Sequence, residues 1–306
     1  LIGSSEKGFL SFPRISEIKY ERKQVILLQA ELISTGTEIL LGYIVNTDAQ
    51  YLSQQLARLG IEVTLHTAVG DDRETMRRVL QDALQRSDLV FTTGGLGPTS
   101  DDITKDVVAE ILGLPMVLDE ASLAEMKAHF AAQGKPFPEV LVRQAYFPAG
   151  ARVLPNPVGT GPGAIVETRG KAIVILPGPP RELQAMFEGS VLPYLKGLPG
   201  RGPVLYTRVY KLTSIPEYNV HETLRDLARE KNPTLGFLAR PGEVHVRVAA
   251  RAATVQEAEQ MADLVGKEIY ARLGEYVFAV DDEKIEEPVG ALLQQRGLTL
   301  SVAESC

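Results

Sequence analysis

The chain has 306 residues, of which 44% are hydrophobic and 23% are charged, and its formal net charge is −7 at pH 7. This length exceeds one average domain and predicts two. The acidic balance argues against a general nucleic-acid binder, which needs a basic surface. Its single cysteine, Cys306, excludes a disulfide framework and favours a reducing, cytoplasmic compartment. No run of about 18 apolar residues is present, so we expect no membrane contact.

The first 29 residues alternate charged with apolar residues and lack the apolar core of a signal peptide. We interpret residues 1–29 as an extension outside the first domain. A regular pattern starts at Ala30, and the Pro-Gly-rich stretch from Pro199 to Pro203 predicts a linker. We therefore expect a first domain over residues 30–200.

The first domain alternates strand and helix patterns. AELIST from Ala30 and IEVTLHT from Ile61 predict strands, and the segments that follow each of them carry apolar residues at helical spacing. A third strand is predicted at Leu89. The order β, α, β, α, β predicts an α/β fold with a mostly parallel sheet and helices on both faces.

The stretch LVFTTGGLGPTSDDIT, from Leu89 to Thr104, predicts a strand, a tight turn and a helix that begins at Asp101. Gly94, Gly95 and Gly97 allow the backbone of the turn to approach a ligand closely. The N–H groups at a helix start attract anions, so a phosphate would bind here readily.

Asp101 and Asp102 do not suit a bare phosphate site, because they would repel its charge unless a cation lay between them. The stretch therefore indicates phosphate together with a metal. The alternative is that Asp101 is an N-cap, Asp102 suits the first helical turn, and the glycines only form a corner. The spacing alone leaves both interpretations open.

Four further loops fall where ligands bind in such sheets, beyond the carboxyl ends of the strands. Each alone is typical of an ordinary turn, but their common location favours a binding site. These loops are Gly36-Thr37-Glu38, Gly70-Asp71-Asp72, Asn156 to Gly163 with Thr160, and Leu176 to Glu182 with Arg181.

Residues 201–285 predict a second, small α+β domain with the order β, α, β, β, α, β, in which Ser214 starts the first helix. The layout resembles KH domains, but Arg240-Pro241-Gly242-Glu243 lacks the Gly-x-x-Gly loop that clamps nucleic acid. A spacer or dimerisation role is favoured. Residues 286–306 predict a helix and a strand, Leu298 to Val302, which we interpret as the truncated start of another domain.

Five motifs in this order resemble the CinA (competence/damage-inducible protein A) family. They are GTEILLG at Gly36, VGDD at Val69, TTGGLGPTSDDIT at Thr92, NPVGTGPG at Asn156 and LPGPPRE at Leu176. The resemblance runs from Ala30 to Cys306, with Thr160-Gly161 departing from the Thr-Ala-Pro-Gly form expected there. It implies a molybdopterin-binding fold for the first domain, whose glycine turn and trailing Asp match Gly94, Gly95, Gly97 and Asp102.

The resemblance also implies metal-dependent ADP-ribose pyrophosphatase activity, with AMP and ribose 5-phosphate as products. A separate C-terminal domain of the family carries nicotinamide mononucleotide deamidase activity. That domain opens at the Ala-Glu-Ser-Cys segment where this chain stops, so we do not expect the deamidase here. The cation would be Mg, Mn, Co or Ni, with K⁺ as a further candidate.

We assign site roles as a hypothesis. Backbone N–H groups of Gly94, Gly95 and Gly97 would bind the diphosphate, and Asp71, Asp102 and Glu38 would hold the divalent cation. Asp101 is the candidate base, and Arg181 and Thr99 would stabilise charge on the leaving side. The remaining substrate-binding candidates are Thr37, Asn156 and Thr160.

Two alternatives belong to other functional classes. One is a molybdopterin-binding or adenylyl-transfer protein, and the other is a non-catalytic scaffold for DNA uptake or repair. The acidic charge and the absent Gly-x-x-Gly loop count against direct nucleic-acid binding. Family precedent favours a homodimer.

Overall fold

A computed structural model of the chain describes residues 27–304. The predicted extension 1–29 lies almost wholly outside the described residues, and so do Ser305 and Cys306. Gln29, the last residue of the predicted extension, already belongs to the first strand. None of the helices in the described part is both long and apolar enough to cross a membrane.

The first unit is built on a six-stranded sheet with the order β2-β1-β3-β8-β7-β6. The first four of these strands run parallel, whereas β7 and β6 join antiparallel. Their bounds are β1 Gln29–Thr35, β2 Glu62–Val69, β3 Leu89–Thr93, β6 Arg152–Leu154, β7 Gly163–Thr168 and β8 Lys171–Leu176. The predicted α/β class, with a mostly parallel sheet, is confirmed.

Helices cover both faces of this sheet. They are α1 Thr37–Leu40, α2 Thr47–Arg58, α3 Arg73–Arg86, α4 Thr104–Leu112, α5 Glu120–Ala132, α6 Pro180–Met186 and α7 Leu192–Gly197. A 3-10 segment, Glu139–Ala145, and a short antiparallel pair, β4 Met116–Leu118 with β5 Tyr146–Pro148, lie beside α5 and α4. A π-helical turn, Phe187–Val191, joins α6 to α7.

The central strands of the six-stranded sheet are packed against helices on both faces. Consecutive residues of a strand point to opposite faces, so a strand covered on both sides is apolar throughout. Leu32 and Phe91 pack into one core with α2, α6 and α7. Their neighbours Ile33 and Val90 pack into the other core with α3 and α4.

The second unit is a four-stranded antiparallel sheet, ordered β10-β11-β9-β12, with two helices. Alternate residues of β11 are buried against α9, as expected for a sheet with one covered face. The bounds are β9 Val204–Thr213, α8 Glu217–Thr223, β10 Thr234–Arg240, β11 Glu243–Ala252, α9 Val255–Leu273 and β12 Val277–Val280. The order β, α, β, β, α, β is confirmed.

Two predicted helix starts are wrong. The helix that we began at Asp101 starts at Thr104, because the side chain of Asp102 accepts hydrogen bonds from Thr99 and closes a separate turn. Ser214 does not start α8, since it adopts a left-handed backbone conformation (φ 61°) and the helix begins after Pro216.

The predicted strand Leu298 to Val302 is also wrong. A last helix, α10 Glu286–Gln295, is followed by residues without regular structure. Leu298, Leu300 and Val302 are 56%, 71% and 71% exposed. An apolar strand needs a neighbouring strand and a covering layer, and the described chain places neither beside these residues.

Candidate functional site

The carboxyl ends of β1, β3 and β8 open into one cavity of about 600 Å³, a volume typical of ligand pockets. The glycine-rich turn after β3 lines this cavity. All four of the other predicted loops also contribute lining residues, which confirms that these segments converge. The predicted site residues among those that line it are Glu38, Asp71, Gly94, Gly95, Gly97, Asp101, Asp102 and Thr160.

Gly94 lets the turn pass very close to β1. Its φ is +93°, and a Cβ atom there would lie 2.6 Å from the carbonyl oxygen of Thr35. The hydroxyl of Thr104, in the first turn of α4, donates to the Gly94 carbonyl at 2.9 Å. These contacts fix the turn rigidly between β1 and α4.

The N–H of Gly94 is not free for a ligand, because it donates to the carbonyl of Leu176 at 3.0 Å and extends the pairing of β3 with β8. Our assignment of this group to diphosphate binding is therefore wrong. Over residues 27–304, the N–H groups of Gly95 and Gly97 have no hydrogen-bond acceptor. These two groups can bind an anion.

Two of the cavity aspartates accept hydrogen bonds from nearby threonines. Asp71 accepts hydrogen bonds from the N–H and the hydroxyl of Thr37, at 3.1 and 2.8 Å. Asp102 accepts from the N–H and the hydroxyl of Thr99, at 2.9 and 2.5 Å. Thr37 and Thr99 thus orient carboxylates and do not themselves line the cavity.

Asp101 also contacts Thr99, whose hydroxyl donates to its carboxylate. That hydrogen bond, and one from its own backbone, hold the pKa of Asp101 below its usual range. A carboxylate with a lowered pKa stays ionised at neutral pH but accepts a proton weakly. Asp101 is therefore better suited to attracting a cation than to acting as a base.

Asn156 and Arg181 differ from their predicted roles. The side chain of Asn156 shapes its own loop, accepting from the N–H of Gly159 at 2.8 Å and donating to Glu182 at 2.6 Å. Arg181 is exposed and does not line the cavity, whereas its neighbour Glu182 does. Successive helical residues point in directions about 100° apart, and α6 turns the carboxylate inward.

The lining is strongly acidic. Six carboxylates line the cavity, and no lysine or arginine appears among its lining residues in the described chain: Glu38, Asp48, Asp71, Asp101, Asp102 and Glu182. An anion could bind beside so many negative charges only together with cations.

The lining residues offer a divalent cation few protein ligands. Within the described chain, no group of three or more His, Cys, Asp or Glu side chains is close enough to hold a metal by itself. Mg²⁺ does not need such a cage, because it is commonly held by one or two carboxylates together with substrate phosphates and water. The oxygen donors of Asp71 and Asp102 fit a cation that binds together with a phosphate.

Arg143 supports the turn directly, and Lys105 holds the 3-10 segment that carries Arg143; neither side chain lines the cavity. Arg143 donates to the Thr99 carbonyl and pairs with Asp106 at 2.7 Å. The ammonium of Lys105 donates to the Gln144 carbonyl at 2.6 Å, and burial lowers its pKa to about 7. Sequence reasoning missed both, since the 3-10 segment that carries Arg143 has no local motif.

Comparison with known proteins gives the family. The pattern described as "Probable molybdopterin binding domain" matches residues 31–197, and "Damage-inducible protein CinA KH domain" matches residues 207–279. The chain belongs to the CinA family. A competence-damage inducible protein of Desulforudis audaxviator is 58% identical over 279 residues, which cover 91% of this chain and 68% of that protein.

Two further CinA relatives agree. A CinA-like protein of Dictyoglomus turgidum is 46% identical over 280 residues, covering 91% of this chain and 68% of that protein. A crystal structure of CinA from Thermoplasma acidophilum, described as of unknown function, matches with a TM-score of 0.51 at 36% identity. It covers 55% of this chain and 98% of that one. The CinA assignment made from five motifs is therefore confirmed.

Proposed function

We propose that this chain is a metal-dependent ADP-ribose pyrophosphatase that hydrolyses the phosphoanhydride to AMP and ribose 5-phosphate. The observation that carries the proposal is one cavity in which, among the residues that the structure describes, unpaired backbone N–H groups lie beside carboxylates and no basic side chain lines the wall. Such a wall favours a diphosphate that is bound together with cations.

In this proposal the N–H groups of Gly95 and Gly97 bind diphosphate oxygens, and Asp71 and Asp102 hold the divalent cation, with Glu38 and Asp101 nearby. Thr37 and Thr99 keep the two carboxylates oriented through their hydrogen bonds. The cation would supply charge stabilisation at a phosphoryl oxygen and lower the pKa of a bound water. Thr160 also lines the cavity, but its hydroxyl donates to the side-chain oxygen of Gln144 at 3.3 Å.

The test is a product assay with purified protein and ADP-ribose, run with Mg²⁺, Mn²⁺, Co²⁺ or Ni²⁺, with and without K⁺, and with chelator. We expect AMP that depends on the metal. Asp102→Asn should lower kcat by roughly 100-fold or more, the scale of losing one preorganised electrostatic group. Asp82→Asn, which changes an exposed carboxylate of α3 outside the cavity, should retain full activity.

Asp102 also closes the turn, so folding of its variant must be checked by circular dichroism and thermal melting. Asp71→Asn provides a second variant on a different loop, and it should lose activity as well. Folded wild-type protein that forms no AMP with any metal would contradict the proposal.

Nucleotide or molybdopterin binding without hydrolysis is the second candidate, favoured by the match of residues 31–197 to a molybdopterin-binding family. Tight pterin binding without ADP-ribose turnover would support it. Dimerisation, a cytoplasmic location and a non-catalytic role in competence or DNA damage stay predictions.

A further inference from the structure

Asp48 is a cavity residue that neither the motifs nor the proposed reaction uses. It lies in the first turn of α2, is only 8% exposed, and lines the same cavity as the glycine-rich turn. A carboxylate this deeply buried is rare unless it is paired.

Among the described residues, Asp48 has no such pair. Its Oδ1 atom is buried and makes no hydrogen bond within the described chain. It does not cap α2 either, since the side chain of Asn46 already accepts from the N–H of Ala49 at 3.0 Å. Burial raises the pKa of Asp48 to about 6, in accord with a carboxylate that lacks a cationic partner. A buried polar atom without a partner is costly, and it is tolerated where a ligand supplies the partner.

The chemistry of that ligand group follows from the surroundings. A carboxylate repels phosphate, so Asp48 suits a neutral part of the ligand that donates hydrogen bonds. Ile39, Ile44 and Val45 line the cavity together with Asp48, and apolar side chains of this kind suit the carbon skeleton of a sugar. A nucleotide offers one such part with two adjacent donors, the vicinal hydroxyls of ribose, which match the two oxygens of a carboxylate. Acidic side chains bind ribose hydroxyls in the same way in dinucleotide-binding folds.

We propose that Asp48 forms a ribose subsite, in which its carboxylate accepts hydrogen bonds from the vicinal hydroxyls of a bound nucleotide. The subsite lies at the α2 side of the cavity, apart from the phosphate groups at Gly95 and Gly97. The inference rests on the proposed function, because it takes the ligand to be a ribonucleotide.

The experiment is a double cycle between protein and ligand, measured by calorimetry with Mg²⁺. Wild type and Asp48→Asn are each titrated with ADP and with 2′,3′-dideoxy-ADP. Wild type should bind ADP about 10- to 100-fold more tightly than the dideoxy compound, the scale of a hydrogen bond to a charged group. In Asp48→Asn this preference should fall to within about threefold, whereas the affinity for inorganic pyrophosphate should not change.

ADP-ribose has two riboses, and ribose 5-phosphate separates them. If ADP and dideoxy-ADP bind wild type equally, but Asp48→Asn weakens ribose 5-phosphate binding about tenfold, the subsite takes the terminal ribose. Both results support a ribose subsite. Asp82→Asn is the control variant and should bind every probe like wild type.

Three outcomes would overturn the inference. They are wild type that binds none of the probes, Asp48→Asn that binds all of them like wild type, and Asp48→Asn that weakens pyrophosphate as much as ADP. The last would place Asp48 on the phosphates or their cation. All of these are binding measurements, so they do not depend on hydrolysis. Wild type that binds ADP-ribose without hydrolysing it would contradict the proposed reaction but would leave the ribose subsite testable.

Discussion

Asp48 carries a free-energy cost that depends on pH. Its pKa rises from 3.8 to about 6 on folding because burial disfavours the charged form. The folded chain therefore binds a proton more tightly than the unfolded chain, and the unfolding free energy falls as pH rises through this window. The penalty is complete above pH 6 and absent below the unfolded value.

We predict that Asp48→Asn, which does not titrate, gains stability relative to wild type as pH rises. The difference between the two unfolding free energies should grow by roughly 2 kcal/mol between pH 4.5 and pH 7.5, from the linkage of a two-unit shift. Urea unfolding at both pH values measures it, with Asp82→Asn as the exposed control. Parallel pH profiles for wild type and Asp48→Asn would contradict the prediction.

No sequence pattern distinguishes Asp48. An acidic residue in the first turn of a helix is ordinarily explained by the helix dipole, and that interpretation needs no ligand. Its burial comes from how α2 and the segment before it close over the carboxyl end of the sheet, which is a tertiary effect. Glu182, by contrast, lies within one of the predicted loops. Only the direction of α6 shows that Glu182 lines the cavity and Arg181 does not.

At the scale of elements, the glycine-rich turn is the feature that sequence reasoning placed best. The run of glycines after an apolar strand indicates a close backbone approach, and Gly94 meets the Thr35 carbonyl. The predicted helix start at Asp101 lies three residues before the observed start at Thr104, because Asp101 and Asp102 resemble capping residues. Sequence spacing cannot distinguish a cap from the turn that Asp102 closes with Thr99.

We predict that Gly94→Ala destabilises the fold by roughly 2–4 kcal/mol, since it combines a positive φ with a clash against backbone. Gly113→Ala is the matched control, with φ +65° and no atom within 4 Å of the added Cβ. It should lose only about 1 kcal/mol from backbone strain. Chemical denaturation compares the two, and equal losses would show that the approach to Thr35 is not rigid.

In the whole molecule, the second unit attaches at the amino ends of the parallel strands, opposite the cavity at their carboxyl ends. The N–H of Leu28, just before β1, donates to the Gly200 carbonyl at 3.1 Å, and the N–H of Gly202 donates to the Gly60 carbonyl at 2.9 Å. β1 and β2, which run between these two ends of the sheet, are seven and eight residues long, or about 25 Å at the usual rise per residue. In the described chain the second unit therefore contributes nothing to the cavity wall.

Gly60 lies where the two units touch, with φ +71°, and a Cβ there would be 2.2 Å from the Gly202 carbonyl oxygen. We predict that Gly60→Ala forces this contact apart and lowers stability by roughly 2–4 kcal/mol. The affinity of Gly60→Ala for ADP-ribose with Mg²⁺ should stay within about twofold of wild type, because the cavity lies at the other end of the strands. Gly134→Ala, with φ +66° and open space around its Cβ, controls for backbone strain. Calorimetric melting measures the stability of both variants, and calorimetric titration measures their affinity. A tenfold loss of affinity in Gly60→Ala would contradict the prediction and mean that the two ends of the sheet are coupled.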